Sequence, residues 1–78
     1  MKNLTTLLKI YELSSDFQYF ELILLAILNG QRAGSKTLFL ELRNKDRKSF
    51  VKYITTVITD EQKNILSQSE IHWFIDNI

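Results

Sequence analysis

Cysteine and proline are absent from this chain of 78 residues, and glycine occurs only twice. Without cysteine there can be no disulfide, no thiolate nucleophile and no cysteine-based zinc site, which is typical of a reducing compartment. All-β sandwiches and barrels need many turns built on glycine and proline, so the composition disfavours them. The length suits one small domain, and we expect residues 1–78 to form it.

Long hydrophobic runs are also missing. Near the start there is one basic residue, Lys2, and the apolar stretch behind it is interrupted by polar side chains, unlike a signal peptide. The most apolar run, residues 19–28, would rise only about 15 Å as a helix, half of a bilayer core. We therefore expect a soluble, cytoplasmic protein that makes no membrane contact.

Helical periodicity is the main pattern that the sequence does contain. Apolar residues recur at helical spacing over 3–13 and 71–78, and residues 16–29 are apolar almost all round, as in a central helix. Three segments have the Ser/Thr-x-x-Glu/Gln spacing of a capping box, which marks a helix start. They begin at Ser15, Thr59 and Ser67. These features predict an all-α fold, a compact bundle of five or six short helices.

The middle of the chain permits two interpretations. Residues 30–36 contain both glycines and predict a loop. Residues 37–43 alternate apolar and polar side chains as a strand would, yet Ser35 could cap a short helix there. We favour the helix, because a single short strand would have no partner.

A helix–turn–helix unit at 37–59 follows from the order of these elements. The turn would be 44–46 and the reading helix 47–59, with the helix at 16–29 behind them. Three features oppose sequence-specific reading of DNA. The turn lacks glycine, the bulky Phe39 lies where the helices should approach closely, and the exposed stripe has no Asn or Gln to read adenine.

The net charge of +1 conceals an uneven distribution. Residues 31–52 contain seven bases and two acids, a net charge of +5, and the remaining residues carry −4. A local excess of basic residues is typical of a surface that contacts the phosphate backbone of DNA or RNA, although it can also be a solvated face. The candidate contact residues are Arg32, Lys36, Arg43, Lys45, Arg47, Lys48, Ser49 and Lys52.

Residues 30–37 come close to the phosphate-loop pattern G-x-x-x-x-G-K-[ST], with Ser35 in place of the second glycine. A nucleotide-hydrolysing fold needs a parallel sheet, which this chain is too short to build. A weaker version remains: amides near 34–37 at a helix start, with Lys36 and Arg32, could hold one phosphate.

No catalytic group of residues is evident. His72 is the only histidine and has no second ligand at a suitable spacing, and no serine has a base beside it. We expect no enzyme activity, no metal and no cofactor.

Aromatic residues supply the alternative function. Four of them fit the predicted core stripes: Phe17, Phe20, Phe50 and Phe74. Three other aromatic residues fall outside these stripes or at their edges and are candidate protein contacts: Tyr11, Tyr19 and Trp73. The segment 38–42 is a further candidate for protein contact. The sequence thus favours a small regulatory protein that contacts nucleic acid, with DNA and transcription control as the expected setting. The alternative is a non-catalytic protein-binding module such as an inhibitor, immunity factor or adaptor, and either could be a homodimer.

Overall fold

A computed structural model describes residues 2–57 and 66–78. The described ranges contain five α-helices: α1 Leu4–Ile10, α2 Asp16–Leu28, α3 Arg32–Leu40, α4 Asn44–Lys52 and α5 Gln68–Asp76. Helix α4 continues directly into a π-helix, Tyr53–Val57. These ranges contain no strand, only an isolated bridge between Lys2 and Leu42. The predicted all-α bundle is confirmed.

Aromatic rings from four helices meet in the core. The ring centroids of Phe39 and Phe74 lie 4.9 Å apart, those of Phe50 and Phe74 5.1 Å, and those of Phe20 and Phe50 5.5 Å, all edge to face. This arrangement is favoured by the ring quadrupoles and links α2, α3, α4 and α5. The predicted burial of Phe20, Phe50 and Phe74 is confirmed.

Phe17 is an exception, since 54% of its surface is exposed and its prediction as a core residue is wrong. Helix α2 is apolar almost all round, but its neighbours cover only part of its circumference, and α3 makes the most extensive contact. Phe17, Leu25 and Leu28 therefore remain at the surface.

Two of the three predicted capping sites are helix starts. The Oγ of Ser15 accepts a hydrogen bond from the backbone N–H of Gln18 at 3.3 Å, and the Oγ of Ser67 accepts one from Glu70 at 3.2 Å. Each serine thus satisfies one of the free N–H groups at the start of its helix. The site at Thr59 lies outside the described residues.

Two turns end helices α1 and α2. Helix α1 stops at Ile10, before the predicted Leu13, because Glu12 adopts a left-handed backbone conformation with φ 57°. The predicted stop after α2 is confirmed: Asn29 is its C-cap, and Gly30 follows with φ 76°. Glycine takes this conformation at little cost.

The predicted loop at 30–36 is wrong, because α3 begins at Arg32. Ser35 is buried within this helix and does not cap it, and its Oγ donates to the carbonyl of Arg32 at 2.6 Å. Packing of α3 on α2 outweighs the weak helix propensity of Gly34.

The helix–turn–helix boundaries shift accordingly. Helix α3 ends at Leu40 and α4 begins at Asn44, so the turn is 41–43 and the predicted turn at 44–46 is the first turn of α4. Leu42 is fully buried within the turn, which explains the apolar alternation that resembled a strand. The predicted packing of α3 against α2 is confirmed.

Candidate nucleic-acid interface

The structure separates the eight candidate phosphate contacts into three groups. Two lie on α3, facing α5: Arg32 and Lys36. One is partly buried against the core: Arg47. Five lie at the start or on the outer side of α4: Arg43, Lys45, Lys48, Ser49 and Lys52.

Both basic residues of α3 have partners on α5. Arg32 Nη2 lies 3.2 Å from Glu70 Oε1, and Lys36 Nζ lies 5.0 Å from the centroid of the Trp73 ring. They line a cavity of about 430 Å³ between the two helices. Their positive charge is partly neutralised by Glu70, whose side chain is only 12% exposed.

Of the amides expected near 34–37 to hold a phosphate, only that of Gly34 lies in the first turn of α3. The N–H of Ser35 already donates to the carbonyl of Gln31 at 3.0 Å, as part of the regular hydrogen bonding of α3. Gly34 lies in the same helix without a positive φ. Because the helix uses the N–H groups from Ser35 onward, only the amide of Gly34 is left for a phosphate, and that contact stays a prediction.

Arg47 is held by backbone carbonyls at two helix ends. Its Nη2 donates to Leu40 O at 2.7 Å, and its Nη1 donates to Asn77 O at 3.0 Å. The centre of the guanidinium lies 5.7 Å from the centroid of the Phe39 ring. The structure therefore places this side chain in a structural role and away from the predicted phosphate contact.

Three lysines on α4, Lys45, Lys48 and Lys52, form what we call the lysine stripe. Their i, i+3 and i+7 spacing puts them on one side of the helix, and all three are exposed. On the opposite side Phe50 anchors α4 in the core, and Tyr53 continues this buried side into the π-helix. Within residues 2–57 and 66–78, none of these lysines forms an ion pair with an acid.

Further positive charge lies at the beginning of the stripe. Arg43 is the exposed N-cap residue of α4, and the partial positive charge of the helix N-terminus adds to that of Arg43 and Lys45, whereas Asp46 in the first turn offsets part of it. Ser49 is exposed between the lysines, and its Oγ donates to the carbonyl of Lys45 at 3.2 Å. This surface can attract phosphate groups.

A cleft of about 330 Å³ lies beside the stripe, between the start of α2 and α4. Lys52 and Ser49 line it together with aromatic side chains and two acids: Phe17, Phe20, Tyr53, Asp16 and Asp46. The Phe17 ring is exposed on one side and packs against the Tyr53 ring at a centroid distance of 5.5 Å with a tilt of 35°.

Asp46 is unusual in this cleft because only 8% of its surface is exposed. It is the acid in the first turn of α4, where the partial positive charge of the helix N-terminus favours a carboxylate. Asp46 was not among the predicted site residues, although helical periodicity contained the signal. Position 46 lies one turn before Phe50, on the buried side of the helix.

The aromatic candidates for protein contact also separate. Tyr19 is fully buried, its hydroxyl donates to Leu38 O at 2.7 Å, and burial raises its pKa well above the usual range. Its predicted partial exposure is wrong. Tyr11 is 38% exposed, and its hydroxyl donates to Glu41 Oε2 at 3.2 Å. Burial, followed by the charge of Glu41, raises the pKa of Tyr11.

Trp73 lies half-buried in the core edge, with its ring centroid 5.8 Å from that of Phe39. In the candidate segment 38–42, Leu42 is buried and Leu40 is 41% exposed. The large apolar side chains that do reach the surface are mostly others: Ile10, Phe17, Leu25, Leu28 and Ile75.

Among the described residues, no group of three or more His, Cys, Asp or Glu side chains is arranged to hold a metal ion. Likewise, none of the helices in these ranges combines the length and the apolar character needed to cross a membrane. Comparison with protein families, characterised proteins and solved structures finds no match to the chain. Its function therefore has to be argued from its own surface.

Proposed function

We propose that this protein is a small, non-catalytic regulatory protein that binds nucleic acid through the lysine stripe of α4, in the setting of transcription control. The observation that carries the proposal is the arrangement of Lys45, Lys48 and Lys52 on one exposed side of a helix, without acidic partners in the described ranges. The chain as a whole is nearly neutral, so the positive charge of the stripe is a local feature of its surface.

Contact with phosphates explains the chemistry of the stripe better than the reading of bases. Lysine is a flexible point charge, whereas base edges are read mainly by the planar groups of arginine, asparagine and glutamine. The three lysines extend over about 10 Å of helix, which corresponds to about three phosphates of one strand. We therefore propose weak sequence preference and a small footprint.

A salt titration tests this proposal. We expect the binding of labelled DNA or RNA, followed by fluorescence anisotropy, to weaken with a log–log slope of about −2 to −3. A variant with Lys48→Glu and Lys52→Glu should lose most of the binding.

The matched control has the same change in net charge outside the stripe, at the exposed Lys2 and Lys9. A variant with Lys2→Glu and Lys9→Glu should keep the salt slope of the wild type and most of its affinity. Equal losses in both double variants, or a flat salt response, would contradict a specific role for the stripe.

A second candidate function is a protein-binding module, and the uncovered apolar side of α2 favours it. Leu25 and Leu28 are 51% and 50% exposed. Contact of these apolar side chains with water is unfavourable, and a partner or a second copy of the chain would remove it. Sedimentation of the wild type and of a Leu25→Lys, Leu28→Lys variant tests self-association. A wild-type dimer that dissociates in this variant supports the second candidate, and a monomer at all concentrations opposes the homodimer.

A further inference from the structure

The cleft beside the lysine stripe contains two features that phosphate binding does not use. One is the exposed ring of Phe17, which is supported from behind by the Tyr53 ring at 5.5 Å. The other is the carboxyl side chain of Asp46, which lines the cleft in a residue that is only 8% exposed. A carboxylate in the wall of a cleft can accept hydrogen bonds from a ligand.

We infer that this cleft receives one base of a single-stranded nucleic acid while the lysine stripe holds the neighbouring phosphates. The inference rests on the proposed function and specifies its ligand. Lys52 connects the two parts of the surface, because it belongs to the stripe and also lines the cleft.

Charge decides which part of a nucleotide enters the cleft. Asp16 and Asp46 both line it, and two carboxylates repel a phosphate group. The same carboxylates accept hydrogen bonds from the N–H groups of a base. The phosphates are therefore directed outward to the lysines, and the base is directed inward.

The exposed aromatic ring favours a single strand over a duplex. Proteins bind single strands by stacking unpaired bases on aromatic side chains next to a positively charged path for the backbone. The bases of a duplex are already stacked and paired, so none of them can reach Phe17 without being flipped out. The cleft, of about 330 Å³, is suited to one planar base.

Asp46 also implies a class of base. A carboxylate accepts from the exocyclic amino group of cytosine, and adenine and guanine carry such a group as well. Thymine and uracil have no amino group, and their one base N–H, at N3, lies between two carbonyl oxygens that repel a carboxylate. Strands of cytosine should therefore bind more tightly than strands of thymine or uracil of equal length.

The test compares labelled single strands of cytosine and of thymine with a duplex of equal length, by fluorescence anisotropy at low salt. We expect the wild type to prefer the cytosine strand over both. Phe17→Leu, which removes the ring at an exposed position, should weaken single-strand binding about tenfold without changing the salt slope. Cytosine strands in deoxyribose and ribose form distinguish DNA from RNA as the source of the ligand.

Two further variants make the assignment specific. Asp46→Asn should reduce the preference for cytosine over thymine, because a neutral amide is a weaker acceptor than a carboxylate. Ile10→Ala is the matched control, since Ile10 is 52% exposed, close to the 54% of Phe17, and does not line the cleft. Its binding should equal that of the wild type.

The outcomes separate this inference from the proposed function. One outcome is that Phe17→Leu binds single strands as tightly as the wild type does, whereas the variant with Lys48→Glu and Lys52→Glu does not bind them. The cleft then binds no base, and the stripe still binds phosphates. Equal affinity of the wild type for duplex and single strands would also overturn the inference. If no strand binds at low salt, the proposed function itself fails. Should Asp46→Asn not fold, the Phe17→Leu result alone decides.

Discussion

Arg47 differs from the neighbouring basic residues because its charge stabilises the fold. Leu40 is the last residue of α3 and Asn77 is the C-cap of α5, so both of the carbonyls that it binds belong to helix C-termini. The last carbonyls of a helix lack partners within the helix, and the negative end of the helix dipole attracts a cation. The planar fork of a guanidinium can serve both carbonyls at once.

This geometry predicts a loss of stability at position 47. Arg47→Lys keeps the charge but cannot reach both carbonyls, and we expect the free energy of unfolding to fall by about 2 kcal/mol. Urea denaturation followed by the fluorescence of Trp73, the single tryptophan, measures this change. Lys48→Ala, one residue later and exposed, should change stability by less than about 0.5 kcal/mol. An unchanged stability together with weaker nucleic-acid binding would instead make Arg47 a phosphate contact.

The burial of Tyr19 should make the fold less stable at alkaline pH. Burial, with the charge of Glu41 adding to it, raises its pKa above the ordinary value of 10.0 in the folded state only. Between these two pKa values the unfolded chain releases the proton and the folded chain keeps it. The contribution of Tyr19 to stability is therefore complete below about pH 10 and is lost as the pH rises further.

Urea denaturation at pH values from about 9 to about 11 measures this loss. In Tyr19→Phe the decline should be shallower but not absent, because burial also raises the pKa of Tyr53. An identical decline in this variant would show that Tyr19 is not its source.

At the scale of helices, starts with a side-chain cap were predictable and starts without one were not. Ser15 and Ser67 accept from N–H groups in the first turns of α2 and α5, and their spacing is visible in the sequence. The N-cap residues of α3 and α4, Gln31 and Arg43, make no side-chain cap hydrogen bond. Packing sets these starts, so the local sequence contains no signal for them.

The candidate interface was predictable only as far as it is local. Lys45, Lys48 and Lys52 share one helix, and the spacing along the chain was enough to place them on one side. Arg32 and Lys36 meet Glu70 and Trp73 from the far end of the chain, contacts that no local pattern reveals. The exposure of Phe17 could not be predicted, because a helix that is apolar almost all round does not show which side its neighbours leave uncovered.

Substitution of each of the two glycines by alanine should have opposite effects on stability. Gly34 lies within α3, and an added Cβ would meet the nearest atom, Gln31 Cβ, at an ordinary 3.8 Å. Gly34→Ala should therefore raise the free energy of unfolding by about 0.5–1 kcal/mol. Gly30 has φ 76°, so Gly30→Ala should lower it by about 1 kcal/mol. Thermal denaturation of the pair checks this, and stabilisation by both changes would contradict the backbone assigned to Gly30.

At the scale of the whole molecule, one hydrophobic cluster joins all five described helices. Its residues extend from Leu4 and Leu7 of α1 to Phe74 of α5, with Phe39 in contact with rings on α4 and α5. Helices this short are marginal in isolation, because most of their stability comes from such packing. The parts should therefore fold together.

Thermal unfolding tests this cooperativity with two probes. Far-UV circular dichroism reports on all helices, whereas the fluorescence of Trp73 reports on the contact of α5 with α3, and the two curves should coincide. Phe39→Leu removes the ring at this junction and should lower the free energy of unfolding by about 1–3 kcal/mol. Because the cluster is shared, the variant should shift both curves equally. A fluorescence transition that precedes the loss of helix would mean that α5 detaches while the rest of the bundle remains folded.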